Sequence, residues 1–125
     1  MIVKLPIIEK SWNEETQSIE RKRSERSVQI DTSFKAHVKW EEQFGAVMGC
    51  DLATYTDRVE SWTKDTAIAK AKLVGMLKLL YCYINADWLP TFNDFASLFD
   101  YEIADELISK ITVVLSEVNK TIGKN

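Results

Sequence analysis

The chain has 125 residues and a formal net charge of −3 at pH 7, so its length suits one ordinary domain and excludes two full cores. Apolar residues make up 46% and charged residues 28%, close to the average of soluble globular proteins, which excludes intrinsic disorder as the overall state. The acidic balance weighs against a dedicated nucleic-acid binder, and two cysteines are too few for a disulfide-rich secreted scaffold.

The first thirty residues form a polar N-terminal arm. Residues 2–8 contain β-branched side chains and predict a short strand, which Pro6 places at the edge of a sheet. Residues 27–30 are a candidate second strand. The stretch 9–26 between them is strongly polar and suits a mobile hairpin or an extended arm. Its two apolar residues are Trp12 and Ile19.

From residue 31 onward, the apolar residues recur at helical spacing. The predicted helices begin near Asp31, Asp51, Asp65, Thr91 and Asp100, each a good N-cap, and the last ends at Gly123. The third is predicted to run unbroken to Ile84 as a central helix. The sequence therefore predicts a mainly α fold: a compact bundle of about five helices (31–125) behind a polar arm (1–30) with room for a short β-hairpin.

The last predicted helix carries apolar residues at alternating spacings of four and three from Ala104 to Ile122. Such a heptad seam is typical of a helix that docks on its own bundle and also of a short coiled coil. We interpret it as docking, and self-association through the seam stays open.

The sequence contains few residues in arrangements that could catalyse a reaction or bind a metal. His37 is the single histidine, and with Glu41 and Glu42 it makes at most half of a metal or acid–base site, because zinc requires three or four ligands. No catalytic motif and no phosphate-binding glycine loop occurs. We therefore expect a protein that is not an enzyme, with no metal and no cofactor, and keep an enzyme centred on His37 as the least favoured hypothesis.

The charges are unevenly distributed along the chain. A basic cluster lies in the arm, and the stretch from Leu79 to Ser109 contains acidic residues but no lysine or arginine. One interpretation is head-to-tail self-association or capture of a partner by charge complementarity; the other is a solvated loop and an acidic helix start. The basic residues are Arg21, Lys22, Arg23 and Arg26.

Aromatic residues are the remaining signal, because Trp and Tyr dominate the hot spots of protein interfaces. Trp12 has no local apolar company, so we predict that it contacts a partner. Trp40 suits either the edge of the core or a partner contact, and the segment after Trp88 suits either a seal of the bundle or a groove for a client helix. The predicted partner-binding residues are Trp12, Trp40, Phe44, Trp88, Phe92, Phe95, Arg21 and Arg23.

The stretch IDTSFKAHVKWEEQFG (Ile30–Gly45) resembles the tail assembly chaperones of long-tailed phages and prophages of Gram-positive bacteria. The residues that carry the match are Phe34, Val38, Trp40, Glu41 and Phe44. The resemblance implies an all-helical, non-enzymatic protein that guards the aggregation-prone tape measure protein during tail assembly. It also implies longer, frameshifted relatives whose extension engages the tail tube protein.

Two functional hypotheses follow. The leading one is a tail assembly chaperone that binds the tape measure protein and self-associates. We expect it in the host cytoplasm, in contact with neither nucleic acid nor membrane, because the sequence shows no signal peptide and no apolar run of membrane-spanning length. The alternative is a small regulatory protein, repressor- or antitoxin-like, that uses its basic arm on DNA or on a protein partner.

Overall fold

The computed structural model describes residues 1–85, 89 and 91–121. The strands are β1 (Ile2–Asn13), β2 (Ser18–Ile30) and β3 (Ile84–Asn85). Helix α1 runs continuously through Phe34–Trp40, a π-helical turn at Glu41–Gly45, and Ala46–Met48. The other helices are α2 (Leu52–Trp62), α3 (Thr66–Ala71), α4 (Leu73–Tyr83), α5 (Phe92–Ala96) and α6 (Ala104–Thr121), the last entered through a 3-10 turn at Tyr101–Ile103.

The fold is mixed α/β, so the prediction of a mainly α bundle of five helices is wrong. Of the described residues, 59% are helical and 23% lie in strands, which form a three-stranded antiparallel sheet beside six helices. The arm departs from the prediction because β1 and β2 pair along their whole length, through the polar stretch 9–26. The predicted third helix is also split, since Lys72 adopts φ −103° and ψ 13° between α3 and α4.

Four of the five predicted N-caps, in contrast, are confirmed: Asp51, Asp65, Thr91 and, at the 3-10 turn that leads into α6, Asp100. The first helix is capped by Ser33, two residues after Asp31. The side chain of Asp51 accepts a hydrogen bond from the Thr54 amide at 2.8 Å, and that of Asp65 accepts one from the Ala67 amide at 2.9 Å. Each side chain satisfies an amide that has no partner within its helix. The predicted C-cap at Gly123 lies outside the described residues.

Strands β1 and β2 form a hairpin whose paired residue numbers sum to 31, so that Met1 and Val3 lie opposite Ile30 and Val28. The Ile30 amide bonds to the Met1 carbonyl, whereas the Ile8 amide points away from β2 and bonds to the Leu98 carbonyl at 2.7 Å. Backbone groups alternate in direction along a strand. Pro6, two residues before Ile8, therefore also has its nitrogen on the outer edge of β1. Its missing donor leaves the ladder intact, and its predicted place on an edge strand is confirmed by the sheet order β1-β2-β3.

The base of the hairpin and the helices share one hydrophobic core. Val3 and Leu5 of β1 and Val28 of β2 are buried with residues of α4 and α6. The apolar seam of α6 turns inward, and Leu107 and Ile111 are fully buried within the chain. The seam therefore docks the helix against β1 and α4, as the first interpretation predicts.

A tight contact joins α2 to α4. The Tyr55 hydroxyl donates to the Gly75 carbonyl at 2.9 Å, and a Cβ atom at Gly75 would lie 2.6 Å from that hydroxyl oxygen. Position 75 of α4 is a glycine because the tyrosine occupies the space that a side chain would need.

Within the described part of the chain, none of the helices has the length and apolar character needed to cross a membrane.

Candidate protein-binding surface

The distal hairpin, residues 9–23, extends beyond the shared core and carries an exposed apolar pair at its end. Trp12 and Ile19 are direct cross-strand partners, so their side chains lie side by side on one face of the sheet. Trp12 is 58% exposed and Ile19 is 63% exposed. Polar and charged residues surround the pair in sequence, which makes it an isolated apolar patch at the end of a protruding element.

The turn that joins the strands holds this pair in place. The Asn13 side chain accepts hydrogen bonds from the Glu15 amide at 2.9 Å and the Thr16 amide at 3.3 Å, and it donates one to Glu20 across the strands. Gln17 adopts a positive φ of 55°, a left-handed conformation that closes the loop at the entrance to β2. The tip is a hydrogen-bonded turn that fixes the register of the Trp12–Ile19 pair.

Ion pairs tie the distal hairpin to the helical part of the chain. The Arg21 guanidinium bonds to Asp100 and, at 3.2 Å, to Glu102, while Arg23 bonds to Glu106 at the start of α6. The basic cluster and the acidic segment seen in the sequence thus meet within one molecule. Because both arginine side chains are about half exposed, each pair is expected to stabilise the fold by about 1 kcal/mol or less.

Most of the predicted aromatic contacts lie inside the core. Trp40 and Phe95 are fully buried and Phe44 is nearly so. The indole of Trp40 donates to the Cys50 carbonyl at 2.9 Å and packs on the Tyr55 ring at a centroid distance of 4.6 Å. These side chains present no surface to a partner in this conformation.

Phe92 is half-buried over the same core, with its ring centroid 5.3 Å from that of Phe44 and 5.6 Å from that of Tyr81. The segment therefore seals the bundle, the first of the two interpretations given for it. Trp88, the remaining predicted contact, lies outside the described residues.

The site considered around His37 consists of a half-buried imidazole against the Phe34 ring, with a centroid distance of 6.1 Å. Among the described residues, no group of three or more His, Cys, Asp or Glu side chains is arranged to hold a metal ion. Burial raises the pKa of the Cys82 thiol to about 12, so this cysteine is protonated at neutral pH and is a poor nucleophile.

Two further apolar surfaces were not predicted. On α1, Phe34 is 85% exposed and Val38, one turn later, is 52% exposed. A cleft of about 120 Å³ lies between α4 and α5. Its walls are formed by Leu73, Val74, Leu77, Ala96, Phe99, Asp100 and Tyr101. The aromatic–apolar spacing of α1 was visible in the sequence, but which side of the helix faces the core was not.

Comparison with known proteins returned no match to a family model, to a curated protein or to a solved structure.

Proposed function

We propose that this protein is a non-enzymatic binding protein that engages another protein through the Trp12–Ile19 pair of the distal hairpin. The main evidence is the position of these two large apolar side chains. They lie next to each other, are mostly exposed, and stand at the end of a hairpin whose other distal residues are polar. Burying such a pair removes apolar area from water at roughly 25 cal/mol per Å², and Trp is among the residues most enriched at interface hot spots.

The ion pairs at the middle of the hairpin support this role. Arg21 and Arg23 hold the distal hairpin against the acidic start of α6, so the tip is oriented before any partner arrives. An element that is already ordered loses less conformational entropy on binding, which favours affinity.

The partner we propose is the tape measure protein of a long-tailed phage or prophage, with the tail tube protein as a second candidate, and the compartment is the host cytoplasm. This part of the proposal is supported by the resemblance of Ile30–Gly45. In the structure that motif spans the junction of β2 and α1, with Trp40 and Phe44 in the core and Phe34 and Val38 on the outside. The exposed pair of α1 is available as an auxiliary contact for an apolar client helix.

The alternative of a regulatory protein acting through its basic arm has less support. Phosphate binding requires uncompensated positive charge, and here Arg21 and Arg23 already bond to three carboxylates of the same chain. A salt series of DNA mobility shifts separates the two: the proposal predicts no shift at moderate salt.

The direct test is co-expression with the tape measure protein encoded in the same genome. We expect the wild-type protein to increase the soluble fraction of that client and to co-purify with it. The Trp12→Ala/Ile19→Thr variant is expected to lose both effects while remaining folded, whereas Tyr101→Ala, which removes an aromatic ring that is 72% exposed elsewhere, is expected to retain them.

Two results would contradict the proposal in different ways. If the wild-type protein leaves the tape measure protein insoluble and does not bind it, the tape measure protein is not the partner. If the double variant supports the client as well as the wild type does, the hairpin tip is not the contact.

A further inference from the structure

The hairpin face that carries the Trp12–Ile19 pair continues inward to the helical part of the chain. Residues two apart along a strand point to the same side of the sheet, so the pairs Lys10–Arg21 and Ile8–Arg23 share this face. At its inner end Ile8 is 2% exposed, and both arginines bond to carboxylates of the helical part. The apolar pair is therefore the outer end of a face whose inner end is already in contact.

Lys10 places an unpaired positive charge beside the apolar pair. It lies two residues before Trp12 on the same strand, so the two Cα atoms are about 6.6 Å apart, and it is exposed. Its ammonium group makes no hydrogen bond and no ion pair with any residue that the structure describes. The cross-strand neighbour Arg21, in contrast, already bonds to two carboxylates of its own chain.

Negative charges lie on the other side of the apolar pair. Glu14 and Glu15 belong to the turn beyond Trp12, and both side chains are exposed. The turn uses only their backbone groups, since the Glu15 amide donates to Asn13 and the Glu14 carbonyl accepts from Gln17. Within the described part of the chain, neither carboxylate has a hydrogen bond or an ion pair. The Cα atom of Glu14 is at most about 7 Å from that of Trp12.

We propose that the hairpin tip binds a client segment in which an apolar residue lies between an acidic and a basic residue. The acidic residue faces Lys10, the apolar residue covers the Trp12–Ile19 pair, and the basic residue faces Glu14 and Glu15. Successive contacts are about 6.6 Å apart, close to the rise of about 6 Å between helix residues four apart.

The charges also select the direction in which the segment lies. A segment laid on in reverse places its basic residue against Lys10 and its acidic residue against the two glutamates, and like charges at an interface disfavour that arrangement. This inference rests on the proposed function and adds to it the chemistry and the direction of the bound segment.

A peptide array that tiles the tape measure protein from the same genome, probed with the full chain, identifies the bound segment. We expect it to carry the acidic, apolar and basic residues in that order. Fluorescence anisotropy of the labelled segment then measures dissociation constants. Lys10→Glu is expected to weaken binding about three- to tenfold, because an attraction becomes a repulsion.

Lys22→Glu is the matched control. It makes the same change of charge on the opposite face of the hairpin, where Lys22 pairs with Glu9, and it is expected to bind as the wild type does. A segment whose acidic residue is replaced by lysine is expected to bind Lys10→Glu more tightly than it binds the wild type. Circular dichroism verifies that each variant is folded.

The failure of this inference can be told apart from the failure of the proposed function. If Trp12→Ala/Ile19→Thr loses the segment but Lys10→Glu binds it as the wild type does, the charge pattern is wrong and the tip remains the contact. If the chain binds no segment, both fail. A dimer that Trp12→Ala/Ile19→Thr abolishes in sedimentation velocity would then show that a second copy of the chain occupies the tip.

Discussion

The two halves of the hairpin share one unbroken ladder but differ completely in their surroundings. In the proximal half, Val3, Leu5 and Ile7 of β1 are at most 5% exposed, and Pro6 and Ile8 between and beyond them are buried too. In the distal half, both faces carry polar residues except at Trp12 and Ile19. Backbone pairing continues without a core beneath it because the strands are already in register and Arg21 and Arg23 tie the middle of the hairpin to the helical part of the chain. The buried proximal half is therefore expected to contribute most of the hairpin's stability, and we propose the exposed distal half as the part that contacts another protein.

The largest effect is expected in the proximal half. Leu5→Ala removes a side chain that is 1% exposed, so the free energy of unfolding should fall by about 3 kcal/mol. Urea denaturation followed by circular dichroism measures this. Ile19→Ala in the distal half is the matched control, and equal losses for both would remove the distinction between the two halves.

The ion pairs at the boundary are expected to contribute less. A double-mutant cycle of Arg23→Ala and Glu106→Ala should give a coupling of about 0.5–1 kcal/mol that decreases at high salt, because the pair is exposed. Urea denaturation at two ionic strengths measures it. A coupling that is zero at low salt would show that the hairpin is not held against α6 by charge.

Acid is expected to weaken the junction between the proximal half and α1. The Asp31 carboxylate accepts hydrogen bonds from Ser33, which lowers its pKa below the usual 3.8. A lowered folded pKa means that the stabilisation is present above the unfolded pKa and is lost as the pH falls through the folded value. The wild type should therefore lose more stability than Asp31→Asn between about pH 5 and about pH 3, as measured by urea denaturation at both pH values. Equal losses would contradict this assignment.

The smallest effect on stability is expected at the tip. Trp12→Ala/Ile19→Thr should change the free energy of unfolding by about 0.5 kcal/mol or less, because surface substitutions away from special features rarely do more. Thermal denaturation measures this. A loss comparable to that of Leu5→Ala would mean that the pair is part of the folding core and not a binding surface.

Features that depend on nearby residues could be predicted from the sequence, and the pairing of the distal strands could not. The caps of Asp51 and Asp65 are local, since each side chain bonds to an amide two or three residues away, and local features can be predicted from spacing. The distal strands could not be, because a strand solvated on both faces shows no apolar alternation. Its one sequence signal was that the only apolar residues of 9–26, Trp12 and Ile19, lie symmetrically about a polar turn.

Whether a predicted site residue is exposed depends on how far along the sequence its contacts lie. Trp12 is 58% exposed, as the polar residues around it in the sequence suggest, whereas the burial of Trp40 depends on α2 packing against it. Arg21 and Asp100 were singled out by charge, but they lie 79 residues apart in the chain, and only the fold brings them together. Their role in binding a partner stays a prediction.

Site-specific photocrosslinking tests the central claim most directly. A photoreactive phenylalanine analogue is placed at position 12 or, as the control, at position 101, and the chain is co-expressed with the tape measure protein from the same genome. The account predicts a covalent adduct with that client from position 12 and none from position 101. An adduct from position 101 alone, or none from position 12 while the two proteins co-purify, would contradict it.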